Sequence, residues 1–148
     1  MVNKRELFQI LTRRLGLLNK NCCDYKSLDI SLVQSHILYE IRRQDCPSIQ
    51  QVAETLGFDI TTFSRQIQTL VRKGLVNKVQ APEDKRVYLL SLTDKGFLVE
   101  EQIDKKLNTY LDEIFSHLSP EEQKKVIDAA TLLNRAMLES DTCCLPPL

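Results

Sequence analysis

The sequence predicts a mainly α (α+β) fold: a winged helix-turn-helix flanked by long N- and C-terminal dimerisation helices. Three observations predict it. Residues 48–74 hold two short segments of helical apolar periodicity, each opened by a capping residue and closed by a glycine. Two β-prone runs follow, separated by the charged loop Gln80-Ala81-Pro82-Glu83-Asp84-Lys85-Arg86. On either side lie helical patterns with more apolar positions than a small winged lobe can cover. The expected divisions are 1–30 (N-terminal dimerisation helix), 31–92 (winged helix-turn-helix), 93–140 (C-terminal dimerisation helices) and 141–148 (tail).

Residues 3–21 read as the first helix, with Leu7, Leu11, Leu15 and Leu18 on one stripe and Phe8 beside them. Cys22 and Cys23 fall in the break that follows. Ser31 and Gln34 form a capping box that opens a helix from Leu32 to Arg43, with Val33, Ile37, Leu38 and Ile41 apolar. His36 lies on it. A packed or partly exposed side chain is its ordinary reading, and a ligand or metal role is the sharper one. Ser48 and Gln51 form a second capping box, and Ile49, Val52, Ala53 and Leu56 fall at helical spacing until Gly57. Asp59 is the N-cap of the next helix, whose apolar stripe is Phe63, Ile67, Leu70 and Val71, and Gly74 stands past its end. Leu75–Val79 and Val87–Leu92 read as the strands of a hairpin. Thr93-Asp94 starts a long helix to about His117, with Ile103, Leu107, Tyr110, Ile114, Phe115 and Leu118 near heptad spacing. Ser119-Pro120-Glu121-Glu122 opens the last helix, striped by Val126, Ile127, Ala130, Leu133 and Met137. A helical dimer is the expected way to cover these outer stripes.

The helix after Asp59 has an unusual outer face. Thr61, Thr62, Ser64, Arg65, Gln68, Thr69 and Arg72 fall off its apolar stripe, and no carboxylate lies between Thr61 and Lys73. Solvated helix faces ordinarily mix Glu with Lys. Hydroxyl, amide and guanidinium groups are the groups that read base edges and hold phosphates. From Thr61 to Leu90, six Lys or Arg stand against Glu83 and Asp84, a local net charge of +4 in a chain whose formal net charge is zero. Such a local excess is the footprint of a polyanion partner.

The order LGFDITTFSRQIQTLVRKGLV, then PEDKR, then LSLTDKG resembles the MarR family of bacterial transcription regulators. Leu70–Val76 matches its L-x-x-x-G-L-[VI] pattern, Asp84 and Arg86 its D-x-R, and Leu92–Gly96 its L-T-x-x-G. The likeness spans nearly the whole length, since the flanking segments have the family's helical layout. It implies a homodimer with the first, fifth and sixth helices intertwined, and an effector pocket between the lobes. It also implies that Asp84 orients Arg86 or a neighbouring arginine. On this reading Thr61, Thr62, Ser64, Arg65 and Gln68 enter the major groove of double-stranded DNA. Arg86 reaches the adjacent minor groove, and Lys73 and Lys85 meet phosphates. A two-fold dimer would meet a pseudo-palindromic operator, with half-sites about 34–36 Å apart. Zinc-sensing members carry further histidines on the helix after the wing. Here the only other histidine is His117, so no zinc ligand set is assigned.

Five cysteines occur as two adjacent pairs and a singlet, Cys22-Cys23, Cys46 and Cys143-Cys144. Small tail or packing residues are the ordinary reading. Thiol sensing of an oxidant or a thiophilic metal or metalloid is the sharper one. No C-x-x-C spacing suggests a zinc knuckle. No nucleophile elbow, phosphate loop or H-E-x-x-H suggests an enzyme or a bound cofactor. Apolar residues are 43% and charged residues 27% of the chain, ordinary for a globular protein. No run approaches the roughly 20 apolar residues of a membrane span, and the N-terminus lacks a signal-peptide core, so a cytoplasmic protein is expected. The expectation is a regulator, taken as a repressor, released by a small ligand or by thiol modification. The alternative is a thiol redox or metal-binding protein that uses its winged helix for protein contacts.

Overall fold

The computed structural model describes residues 3–15 and 28–140. Among the described residues, six helices and two strands run in the order α1 (Lys4–Arg14), α2 (Leu32–Gln44), α3 (Ile49–Leu56), α4 (Ile60–Arg72), β1 (Val76–Gln80), β2 (Tyr88–Leu92), α5 (Asp94–Ser116) and α6 (Pro120–Leu138). The mainly α, winged helix-turn-helix expectation holds.

Helix starts follow the caps. Ser31 and Ser48 each complete a capping box, with Gln34 and Gln51 returning the bond. Asp59 accepts the Thr62 amide at 2.9 Å. Ser119 and Glu122 close the box that opens α6 around Pro120. Gly57 ends α3 at φ +72°, a left-handed position that an L side chain enters at a cost.

The core lies in the α2–β2 lobe. Phe63, Ile67 and Leu70 of α4 are fully buried against Ile37, Leu38, Val52 and Leu90. Ile103 of α5 closes the cluster. The hairpin is antiparallel, with Val76 opposite Leu92, Lys78 opposite Leu90 and Gln80 opposite Tyr88. A single bridge from Ser48 to Leu89 adds a third edge, and the Leu90 amide donates to the Pro47 carbonyl at 2.8 Å.

Several expectations shift. The strands begin one residue later than expected. The Leu75 amide bonds back to Leu70 O at 3.0 Å and so belongs to the closing turn of α4. The Val87 amide bonds Asp84 O at 3.0 Å and belongs to the wing loop. Val71, expected on the buried stripe, is 38% exposed, because it sits one position past Leu70 on the helix surface. The first helix, expected over 3–21, is described over Lys4–Arg14, and 16–21 lie outside the described residues.

The joint between α4, β1 and α5 is tightly built. Thr93 caps α5 by accepting the Gly96 amide at 2.9 Å. Its hydroxyl also donates to Gly74 O at 2.6 Å, and its amide to Leu75 O at 3.0 Å. Gly96 then lies directly on the Leu75 peptide, where a Cβ would overlap the Leu75 carbonyl oxygen. A second tie crosses from α2. The Arg42 guanidinium bonds the buried Glu100 carboxylate and lies 4.6 Å from the Phe97 ring centre.

Gly96 and Gly57 should respond differently to a methyl group. Gly96→Ala is expected to cost about 3 kcal/mol of lobe stability, since backbone must move to admit the methyl. Gly57→Ala, which meets nothing within 4 Å and suffers only from its positive φ, should cost about 1 kcal/mol. Urea denaturation of both variants measures this, and equal losses would show that the joint yields easily.

Candidate nucleic-acid interface

Helix α4 is amphipathic in a strict sense. Its buried stripe, Phe63, Ile67 and Leu70, has the spacing i, i+4, i+7. Thr61, Arg65, Gln68 and Arg72 repeat that spacing two residues out of step, about 200° around the helix, and all four are exposed. This is the acid-free face that the sequence singled out.

Not every expected residue on it is equally available. Among the described residues, Arg65 has no ion-pair partner, and Thr61 and Gln68 are exposed beside it. Thr62 gives its amide to the Asp59 cap. Ser64 is half-buried, and its hydroxyl donates to Ile60 O at 2.7 Å. The Asp59 carboxyl is held below the ordinary aspartate range by hydrogen bonds from the Thr62 side chain and amide. Its charge therefore sits on the helix N-terminus.

Lys73 departs most from expectation. Its ammonium donates to Asp29 O at 2.5 Å and to Gln34 Oε1 at 3.4 Å, and it lies 3.4 Å from Asp29 Oδ2. A phosphate contact would have to displace these partners, so Lys73 is placed as a pin between the α2 entry and the end of α4. Lys95 completes this corner by donating to Lys73 O at 3.2 Å.

The wing loop carries a preformed fork. Arg86 donates through Nε to Asp84 Oδ1 at 3.1 Å and through Nη2 to Oδ2 at 3.2 Å, while its own amide bonds Oδ1 at 3.0 Å. Arg86 remains 90% exposed. The arrangement expected of Asp84, an acceptor that orients Arg86, is the one observed. The Gln80 side-chain amide steadies the loop by donating through Nε2 to Lys85 O and to the Tyr88 hydroxyl, each at 3.2 Å. Lys85 is exposed and has no ion-pair partner among the described residues.

Two cations join this surface that the expected set of DNA-binding residues omits. Arg72 is given by the exposed α4 spacing. Lys78, counted above only in the local charge, shares a hairpin face with buried Val76 and Leu90, and strand alternation alone does not mark it as exposed.

Cys46 is the one cysteine among the described residues, and it is exposed. Cys22, Cys23, Cys143 and Cys144 lie outside them. His36 is exposed on α2. Among the described residues no group of three or more His, Cys, Asp or Glu could hold a metal. No described helix is long and apolar enough to cross a membrane.

A helix-turn-helix with an exposed cationic face beside a charged hairpin defines the winged helix-turn-helix class. The model of the MarR family matches residues 30–88. The uncharacterised HTH-type transcriptional regulator YfiV of Bacillus subtilis is 24% identical over 114 residues, covering 77% of this chain and 71% of that protein. A cysteine-to-serine mutant of MarR from E. coli, solved with operator DNA, is 26% identical with a TM-score of 0.71, covering 88% of this chain and 91% of that one. The MepR–DNA complex of S. aureus is 21% identical with a TM-score of 0.77, covering 92% and 99%. The chain spans between 71% and 52% of the length of curated relatives such as YfiV and the regulator PapX of Escherichia coli. The chain belongs to the MarR family.

The Arg86–Asp84 fork has a defined pH dependence. Asp84 is lowered from the ordinary aspartate value, first by the Arg86 side chain and then by the Arg86 amide. A depressed carboxylate contributes its bonds above the unfolded pKa and loses them as pH falls through the folded one. The Arg86 amide should therefore keep its hydrogen-bonded NMR shift from neutral pH down through the ordinary aspartate range and lose it only below. Asp84→Asn should give the perturbed wing at every pH, and a wild-type transition near neutrality would rule out this assignment.

Proposed function

We propose that the chain is a sequence-specific double-stranded-DNA-binding transcriptional regulator. On this reading it acts in the cytoplasm as a homodimeric repressor and is not an enzyme. The observation that carries the proposal is the α4 face. Thr61, Arg65 and Gln68 are exposed on one acid-free stripe, next to a wing whose Arg86 is aimed by Asp84. Base edges need donors such as these held on a rigid helix, and a narrow minor groove attracts an exposed guanidinium. The likeness to E. coli MarR, solved on operator DNA, supports the same reading.

The dimer is supported by surface that the monomer leaves bare. Helices α1 and α6 bury no residue. Leu7, Phe8 and Leu11 of α1, Leu107 and Ile114 of α5, and Val126, Leu133 and Met137 of α6 are each 38–52% exposed. Apolar stripes of this length on helices that bury nothing of their own call for a partner of the same kind. We take the released state to be produced by a small ligand or by thiol modification, by an oxidant or a thiophilic metal or metalloid.

Arg65→Ala and Arg86→Ala should each weaken binding to the chain's own upstream DNA by about 5- to 150-fold at fixed salt. Unchanged binding in both would reject the assignment of α4 and the wing. Leu133→Glu should shift wild-type dimers toward monomer in sedimentation velocity, and a wild-type monomer at micromolar concentration would reject the dimer. Titration of bound DNA with oxidant, arsenite or divalent metals, in wild type and an all-Cys→Ser variant, separates the two modes of release. Release in wild type alone assigns the signal to the cysteines, and identical behaviour assigns it to a ligand.

A further inference from the structure

The notch between α4 and the wing adds Val71, Arg72 and Lys78, which the proposed groove contacts do not use, to the edge of Gln68. Gln68, Val71, Arg72 and Lys78 line an open concavity of about 470 Å³. Val71, displaced from the buried stripe, is the apolar residue of its lining. Lys78 lies on the hairpin face that carries Val76 and Leu90, at the point where the core runs out. Its ammonium sits 4.3 Å from the Tyr88 ring centre, a contact that positions the charge and leaves it un-neutralised. The Arg72 guanidinium donates to the Thr69 hydroxyl at 3.3 Å, a neutral acceptor. Among the described residues, no carboxylate lines this notch.

The other side of the wing is the reverse. Glu83 and Asp84 line a separate cleft, shared with Glu54, Gln50 and Ser48 of the α3 region. The hairpin thus contributes Glu83 and Asp84 to the cleft on the α3 side and Lys78 to the notch on the α4 side.

We infer that the notch formed by Gln68, Arg72 and Lys78 is a phosphate-binding site that grips the DNA backbone between the two grooves. This rests on the proposed DNA-binding reading. With α4 in a major groove and Arg86 in the adjacent minor groove, the protein straddles the strand that separates them. The phosphates of that strand must pass over the concavity between helix and wing. Two un-neutralised cations and an amide donor at that place match phosphate oxygens, which take point charge and hydrogen bonds without sequence information.

The test uses the full chain and a duplex about 30 base pairs long, selected by wild type from a random-sequence pool, with room for two half-sites. Affinity is measured across a salt series for wild type, Arg72→Gln, Lys78→Gln and Lys78→Arg. Each charge-removing variant should reduce the slope of log K against log salt by about 0.9 for each phosphate that is no longer neutralised, equally on the selected and a scrambled duplex. Lys78→Arg should restore the slope. A neutral methylphosphonate at one backbone position per half-site should weaken wild type but leave Lys78→Gln unaffected. Wild-type slopes in both Gln variants, with unchanged thermal midpoints, would overturn the site. So would a weakening confined to the selected duplex, which would make these base contacts. A wild-type chain that selects no duplex would instead remove the DNA-binding reading, and this site with it.

Discussion

The fold depends on how closely α5 approaches the end of α4. Three features share the space: the Gly74 turn at φ +73°, the Leu75 carbonyl and the first turn of α5. Thr93 bonds both the Gly74 and Leu75 carbonyls while capping its own helix. The carbonyl of buried Leu75 would otherwise be left unpaired where the strand leaves the helix. An unmade bond to such a group costs about 1–3 kcal/mol, more than a typical made one contributes. Glycine at 96 is therefore a packing requirement and not a matter of backbone freedom. The carbonyl occupies the place where any Cβ would stand.

That joint explains why the exposed face of α4 can be presented rigidly. A helix of 13 residues is marginal alone. Here one side is fixed by Phe63, Ile67 and Leu70, the start by Asp59, and the end by the Thr93 clasp and the Lys73 pin. The opposite stripe is then free to carry groups chosen for what they bind. The same division of labour holds in the wing. Asp84 commits its charge to one arginine, so a carboxylate at the tip orients a cation where it would otherwise repel a polyanion.

Much of the lobe was legible in the sequence because its signals are local. Capping boxes at Ser31, Ser48 and Ser119 and the Gly57 stop depend on residues three or four apart, and each stands where expected. The misplacements have tertiary causes. Lys73 reads as a free cation until the turn at Asp29, itself at φ +55°, brings a carbonyl to it across 44 residues of sequence. Lys78 enters the sequence reading only through the local charge, because alternation gives its side of the hairpin and not how far the core extends. Val71 reads as buried, because adjacent apolar residues cannot be ranked without knowing which neighbour the helix faces. The Arg42–Glu100 pair joins residues 58 apart, and nothing local marks it.

That pair bears on how a signal could reach α4 in the proposed regulator. The Glu100 carboxylate is 2% exposed and satisfied by Arg42, whose own charge also lies on the Phe97 ring. The Arg42 guanidinium is held firmly protonated, chiefly by its bond to Glu100. Breaking this contact would strand a buried carboxylate, so the pair couples α2 to the first turns of α5. Through Thr93 and Gly96 the same turns hold the end of α4. A ligand or modification that displaced α5 relative to a partner subunit would therefore carry the whole lobe as a rigid unit. It would change the separation of two α4 helices while leaving each reading face intact. Binding to a two-half-site operator is sensitive to that separation, since a misplaced second lobe cannot reach its half-site at all. The physical requirement for such a switch is a stiff lobe on a compliant mount. The buried core around Phe63 supplies the first, and the bare apolar faces of α1 and α6 supply the surface on which the second would be built.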